Sequence, residues 1–235
     1  MRPATEVYRL TRKVPDLPWN LYVCRPIASL LVAPLEGTRV TPNQVTLASL
    51  AVALASVALL VVLPGRVGLL VAILVFEASY VLDCADGMLA RLRGVQSTPG
   101  HLFDFLMDEI KAFAVLGAAA VRLFLERDRD PTYLLVGIAG LVVLATGIAL
   151  TTFVRRPEIT GPAGPAKGAA GPRSPLGAVV SAVESVAKLL IHYPSYILFV
   201  AISGRLEAYL FPYVAVNAVY AARTLLSVAV SFGRK

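Results

Sequence analysis

Residues 40–65 read VTPNQVTLASLAVALASVALLVVLPG and carry no charged side chain. About 20 mostly apolar residues are enough for a helix to cross a bilayer, so this stretch predicts a membrane span. Thr41 or Asn43 can cap its start, and Pro64-Gly65 ends it. Working outward, the same pattern returns at residues 67–90, 99–124, 131–154, 176–203 and 206–231. The expected fold class is therefore an all-α integral membrane protein with six transmembrane helices. Ahead of the first span, Trp19, Tyr22, Val23, Ile27, Leu30 and Leu31 fall near one face at helical spacing. That suits an N-terminal interfacial amphipathic helix, bent or ended by Pro26 and Pro34; a plain extended lead-in is the alternative. The expected division is residues 1–40 as a cytoplasmic N-terminal segment and 41–235 as a six-helix transmembrane domain.

Composition agrees. The chain has 235 residues, 57% of them hydrophobic and only 16% charged, with a mean hydropathy of +0.72. A soluble domain carries about 25% charged residues. The net charge of +7 does not point to nucleic acid, because the basic residues lie between apolar runs rather than on one polar face. Cys24 and Cys84 lie in different segments and in no metal-binding spacing, so no disulfide framework is expected. The first 40 residues are polar and have no short apolar core, so no cleavable signal peptide is expected. Residues 155–174, RRPEITGPAGPAKGAAGPRS, read as a Gly/Pro/Ala loop between the fourth and fifth spans.

Lysine and arginine set the expected orientation. With the N-terminus inside, fourteen of them fall on the inner side and four outside, at Arg66, Arg127, Arg129 and Arg205. Multi-pass topology with both termini cytoplasmic follows. A prokaryotic cell membrane is the expected location.

The second and third spans hold acids where charge is expensive. Asp83, Asp86, Gly87 and Ala90 share one helical face, and so do Gly100, Asp104 and Asp108. Sequential antiparallel helices with a short link should bring these faces together. Four carboxylates would repel strongly, and Lys111 cannot neutralise them all. Two divalent cations would, and an all-oxygen ligand set favours Mg²⁺ or Mn²⁺. Small residues beside the acids leave a slot, or allow close helix contact. Arg91 follows directly and can meet a phosphate. Together these features suggest a nucleotide diphosphate and phosphoryl-type transfer.

The residues run Asp83-x2-Asp86-Gly87-x2-Ala90-Arg91-x8-Gly100-x3-Asp104-x3-Asp108. This resembles the signature of the CDP-alcohol phosphotransferase (CDP-alcohol phosphatidyltransferase) family at every fixed position. Six spans behind an interfacial helix resemble that family too. The resemblance implies that Asp83, Asp86, Asp104 and Asp108 ligate two metal ions. Asp108 would also be the general base on the acceptor hydroxyl. Gly87, Ala90, Arg91 and Gly100 would line the CDP site, and Ser97 matches a position that can contact the donor. TPNQVT at 41–46 is similar to the family's segment opening the first span, which implies that Asn43, Gln44, Val45 and Thr46 touch the nucleotide end. A homodimer is implied as well. One departure is Glu109, where many relatives have a basic residue; here Lys111 comes two positions later.

The implied activity is transfer of a substituted phosphate from a CDP-linked donor to an alcohol, with release of CMP. CDP-diacylglycerol and a polar acceptor, in phospholipid synthesis, are the leading pair. A soluble CDP-alcohol donating to a lipid or polyol-phosphate acceptor is the alternative. Arg155, Arg156 and Lys188 lie where an acceptor pocket would open, and can hold an acceptor phosphate or serve only topology. A divalent-cation transporter is the rival from another class, and a nucleotide-binding pseudoenzyme a third. His101 is expected at solvent or headgroups. Glu77 and Glu184 are expected to pair with Lys188 or Arg223.

Overall fold

The computed structural model describes residues 2–156 and 185–232. Among them the chain is helical, without strands. After α1 (Ala4–Thr11), a π-helical turn (Asn20–Cys24) leads into α2 (Arg25–Leu35). Then come α3 (Pro42–Val62), α4 (Gly65–Arg93), α5 (Thr98–Glu126) and α6 (Pro131–Val154). Residues 185–191 are helical, followed by a 3-10 turn (Tyr193–Ser195), α7 (Ile197–Ser203) and α8 (Glu207–Phe232).

Among the described residues, four helices are long and apolar enough to cross a membrane: α3, α4, α6 and residues 207–230 of α8. The helix α5 has the length but carries charge through Asp104, Asp108, Glu109, Lys111, Arg122 and Glu126. The expected fifth span differs in form. Its helix stops at His192 and resumes at Ile197, because Pro194 lacks the N–H that an unbroken helix would need. The first part of that span, residues 176–184, lies outside the described residues, as do the 157–174 portion of the loop and Glu184.

Local sequence explains the helix ends. Thr41 wins over Asn43 as the cap of α3: its hydroxyl accepts from the Gln44 amide, and Gln44 Oε1 accepts from the Thr41 amide at 2.9 Å. This reciprocal pair satisfies two orphan donors. Gly94 ends α4 at φ 66°, a left-handed conformation that suits a residue without a side chain. Only residues 94–97 separate α4 from α5, and Ser97 caps α5 by accepting from the Gly100 amide.

The core forms where α3, α4 and α5 meet α7 and α8, around Leu60, Ile73, Phe76, Leu116, Leu123, Ile197 and Leu210. Helix α3 is sewn to α4 by Ser49 Oγ donating to the Ser79 carbonyl (2.8 Å) and Ser56 Oγ to the Ala72 carbonyl (2.7 Å). Such bonds suit an apolar environment, where few other partners compete. Gly137 and Gly140 permit close approach of α6: an added Cβ would lie 2.3 Å from Ala120 Cβ and 2.6 Å from Val214 Cγ2.

A second cluster joins α1, α2 and the latter part of α4 through Val7, Cys24, Ala28, Val32, Cys84, Ala85 and Met88. The side chains of Tyr22 in the π turn and of Ile27, Leu30 and Leu31 in α2 face outward, whereas Arg25 and Ser29 are buried. Both cysteines are buried and free. Arg93 ties the α2–α3 loop down, donating to the carbonyls of Val40 (2.5 Å), Thr38 (3.1 Å), Glu36 (3.3 Å) and Leu35.

Asp16 secures the π turn. It accepts from Arg25 Nε (2.5 Å), Asn20 Nδ2 (3.1 Å) and the Leu17 amide (2.9 Å). Burial raises its pKa, but these bonds outweigh burial and hold the carboxyl below the usual range. A depressed carboxyl contributes stability that is full above the unfolded value of about 3.9 and is lost as pH falls through the lowered folded value. We expect Asp16→Asn, which strands Arg25, to cost about 3 kcal/mol or more. Faster proteolysis of the N-terminal segment at neutral pH would report it, and wild-type resistance would refute it.

Candidate active site

The acidic faces of α4 and α5 meet. Carboxylate oxygens of Asp83, Asp104 and Asp108 all lie within 4.8 Å of one another, a spacing able to hold a metal ion. Lys111 joins them: its ammonium contacts Asp83 and lies 3.1 Å from Asp108 Oδ1. Asp86 stands beside this trio rather than in it. It is buried, and Thr46 Oγ1 on α3 donates to its Oδ2 at 2.5 Å. Asp104 Oδ1 is buried with no hydrogen-bond partner among the described residues. An orphaned carboxylate oxygen in a cluster of oxygen donors fits a hard divalent cation well.

A cavity of about 760 Å³ opens over Asp86 and Asp104. Its wall includes Asn43, Thr46, Gly87, Ala90, Arg91, Ser97, Gly100 and His101, so most of the expected donor-site residues converge on one space. Two do not. Gln44 is engaged in the α3 cap, and Val45 is packed in the core against α4. On a helix, residues 43 and 46 share a face that 44 and 45 leave, so the segment cannot present all four. His101 is exposed at this cavity.

The glycines have distinct jobs. A Cβ on Gly87 would sit 3.3 Å from Arg91 Nη1, so Gly87 makes room for that guanidinium. A Cβ on Gly100 would meet Ser97 Oγ at 3.1 Å and Asn43 Oδ1 at 3.7 Å, so Gly100 lets the start of α5 approach the start of α3. Arg91 Nε donates to the Thr11 carbonyl at 2.8 Å, which anchors the side chain, while Nη2 is buried without a partner among the described residues.

A second cavity, about 590 Å³, borders the acidic cluster at Asp108 and Lys111. Asp108, Glu109, Lys111, Lys188, Tyr80, His192, Tyr213 and Asn217 are on its wall. Of the four motif aspartates, Asp108 alone lines it, while Asp86 and Asp104 line the first. Of the three expected acceptor residues, Lys188 lines this space. Arg155 and Arg156 are exposed beyond the end of α6 and line neither cavity.

Several contacts went unforeseen. Glu77 accepts from Trp19 Nε1 at 3.1 Å instead of meeting Lys188 or Arg223. Tyr80 Oη donates to Asn20 Oδ1 (2.7 Å) and lies 2.8 Å from His192 Nε2, whose Nδ1 lies 2.7 Å from Ser195 Oγ. The Trp19–Glu77, Asn20–Tyr80 and Tyr80–His192 pairs join segments 58 to 112 residues apart. Periodicity cannot reveal them.

No curated protein matches the chain. A family model described as CDP-alcohol phosphatidyltransferase matches residues 39–204, the stretch that holds α3 to α7 and every motif aspartate. The chain belongs to the CDP-alcohol phosphatidyltransferase family.

Proposed function

We propose that this phosphotransferase moves a substituted phosphate from CDP-diacylglycerol to the hydroxyl of a polar alcohol, releasing CMP, in phospholipid synthesis. One observation carries the reading: two buried orphan atoms, Arg91 Nη2 and Asp104 Oδ1, belong to residues that line the same cavity. The guanidinium needs an anion and the carboxylate a cation. A metal-bound pyrophosphate supplies both. Asp83, Asp86, Asp104 and Asp108 would hold two ions, Mg²⁺ or Mn²⁺, which when bound offset charge on the pyrophosphate and on the departing CMP.

The chain's own residues do the rest. Arg91 pairs with donor phosphate. Asn43, Thr46, Gly87, Ala90, Ser97 and Gly100 shape the nucleotide site. Asp108, facing the second cavity, takes the proton from the acceptor hydroxyl. That oxygen then bonds to the phosphorus carrying the donor's alcohol, and the bond from this phosphorus to the bridging oxygen breaks, its electrons leaving with CMP. Lys188 serves the acceptor side, with Arg155 and Arg156 drawing an anionic acceptor toward it.

Six spans with both termini cytoplasmic fit this chemistry, placing both cavities at the cytoplasmic edge. The outward apolar side chains of α2 support an interfacial helix before them. The protein is assigned to a prokaryotic cell membrane as a homodimer among membrane lipids. A transporter would need a polar path beyond the acids, but Ile73, Phe76, Val115, Leu116 and Ala119 fill that part of the core.

Purified protein incubated with CDP-diacylglycerol, Mg²⁺ or Mn²⁺ and a panel of alcohols should release CMP. Release only from a soluble CDP-alcohol with a lipid or polyol-phosphate acceptor would replace the donor assignment. No release from any pair, with metal flux into vesicles, would overturn the reading. In the same assay Arg91→Met should raise the donor KM about tenfold or more, as loss of a charge-assisted contact predicts. An unchanged KM would remove Arg91 from the donor site.

A further inference from the structure

We infer that Lys111 is a built-in placeholder cation: it holds the carboxylates together until divalent metal arrives, and gives up its place as the metal loads. This rests on the metal-site reading above.

The geometry is specific. Asp83 comes from α4 and Asp108 from α5, and one ammonium bridges them. The Lys111 side chain is only 5% exposed, so its charge is compensated by these two partners rather than by water. Both partners belong to the trio whose oxygens converge within 4.8 Å. An ammonium is a compact point charge with three donors on a flexible stem, unlike the planar guanidinium fork, so it is suited to substitute for an ion and to withdraw.

Lys111 also has somewhere to go. It lines the second cavity, beside Glu109 and Tyr213, so the released stem can turn into open space without repacking the core. Asp104, by contrast, has no cation of its own among the described residues, and its Oδ1 is orphaned. One lysine thus covers two of the three clustered acids, and the third is left for an ion to complete.

Two consequences follow. A divalent ion must compete with Lys111 for Asp83 and Asp108, so the lysine weakens metal affinity. In return it protects the metal-free fold, because otherwise Asp83 would be a largely buried carboxylate with no counter-charge.

The test measures free Mn²⁺ by electron paramagnetic resonance against purified protein in nanodiscs, together with thermal melting. Lys111→Met should bind Mn²⁺ about fivefold tighter or more, the lower end of usual coupling strengths. It should melt earlier without metal and recover with Mn²⁺. Lys111→Arg, which keeps the charge, should stay near wild type in metal-free melting. Equal or weaker Mn²⁺ binding by Lys111→Met overturns the proposal. On the wild-type chain, reductive methylation read by mass spectrometry should label Lys111 faster with Mn²⁺ than without. Equal labelling overturns displacement even if the Met variant fails to fold. Mn²⁺ binding is read without substrate, so loss of the CMP-releasing reading would show separately, as absent turnover in a protein that still binds metal.

Discussion

Asp108→Asn should cut CMP release by about a thousandfold while the protein remains folded, within the range that positioned general bases contribute. The side chain is 50% exposed, against 13% for Asp83, so amide replacement disturbs little packing. Lys111 keeps its stronger partner, Asp83. What the amide cannot do is accept the proton of an attacking hydroxyl. The position of Asp108 on the second cavity is what separates it from Asp86 and Asp104, which face the first. A variant retaining more than about a tenth of wild-type turnover would sink the base assignment, since even weak general bases contribute about a hundredfold. Measuring Mn²⁺ binding on the same variant separates the two roles: a lost ligand weakens metal binding, while a lost base leaves turnover absent at saturating metal.

The largest effect on stability is expected at Arg122. Its side chain, on α5 fourteen residues after Asp108, is only 2% exposed. It donates to the carbonyls of Leu60 (2.8 Å), Leu63 (2.7 Å) and Gly65 (2.5 Å), and pairs with Glu126 at 2.8 Å. The last carbonyls of a helix have no intrahelical donor, and in an apolar setting no water replaces one. Arg122 therefore closes the α3–α4 corner and adds a favourable charge at the end of α3. Arg122→Met should cost about 3–5 kcal/mol, as removing one member of a buried charged set does. Arg122→Lys should recover only part, because one ammonium cannot reproduce the planar fork. A melting temperature equal to wild type for the Met variant would show that the carbonyls find other donors.

Much of this was legible in the sequence because it is local. The charge-free run at 40–65 became α3, shortened to Pro42–Val62 by its cap and by the Pro64-Gly65 break. The acidic faces were legible because i, i+3 and i+4 spacing places side chains on one side of a helix, whatever the helix packs against. Partner choice was not legible. That Asp86 takes Thr46 depends on how α3 lies on α4, and that Lys111 bridges two acids depends on how α4 lies on α5. Hydropathy also hid two features inside apolar stretches. Pro194 breaks the fifth span although its neighbours are apolar enough to continue. Arg122 drew no reading among its apolar neighbours, and it is the buried clasp of a neighbouring corner.

The most direct test follows the phosphorus. CDP-diacylglycerol carrying radiophosphorus only in the phosphate next to the diacylglycerol is incubated with the protein, an accepted alcohol and Mg²⁺ or Mn²⁺. Attack on that phosphorus predicts label in the lipid product and none in CMP, and no transfer once metal is chelated. Label left on the nucleotide, or transfer undiminished by chelation, would contradict the account.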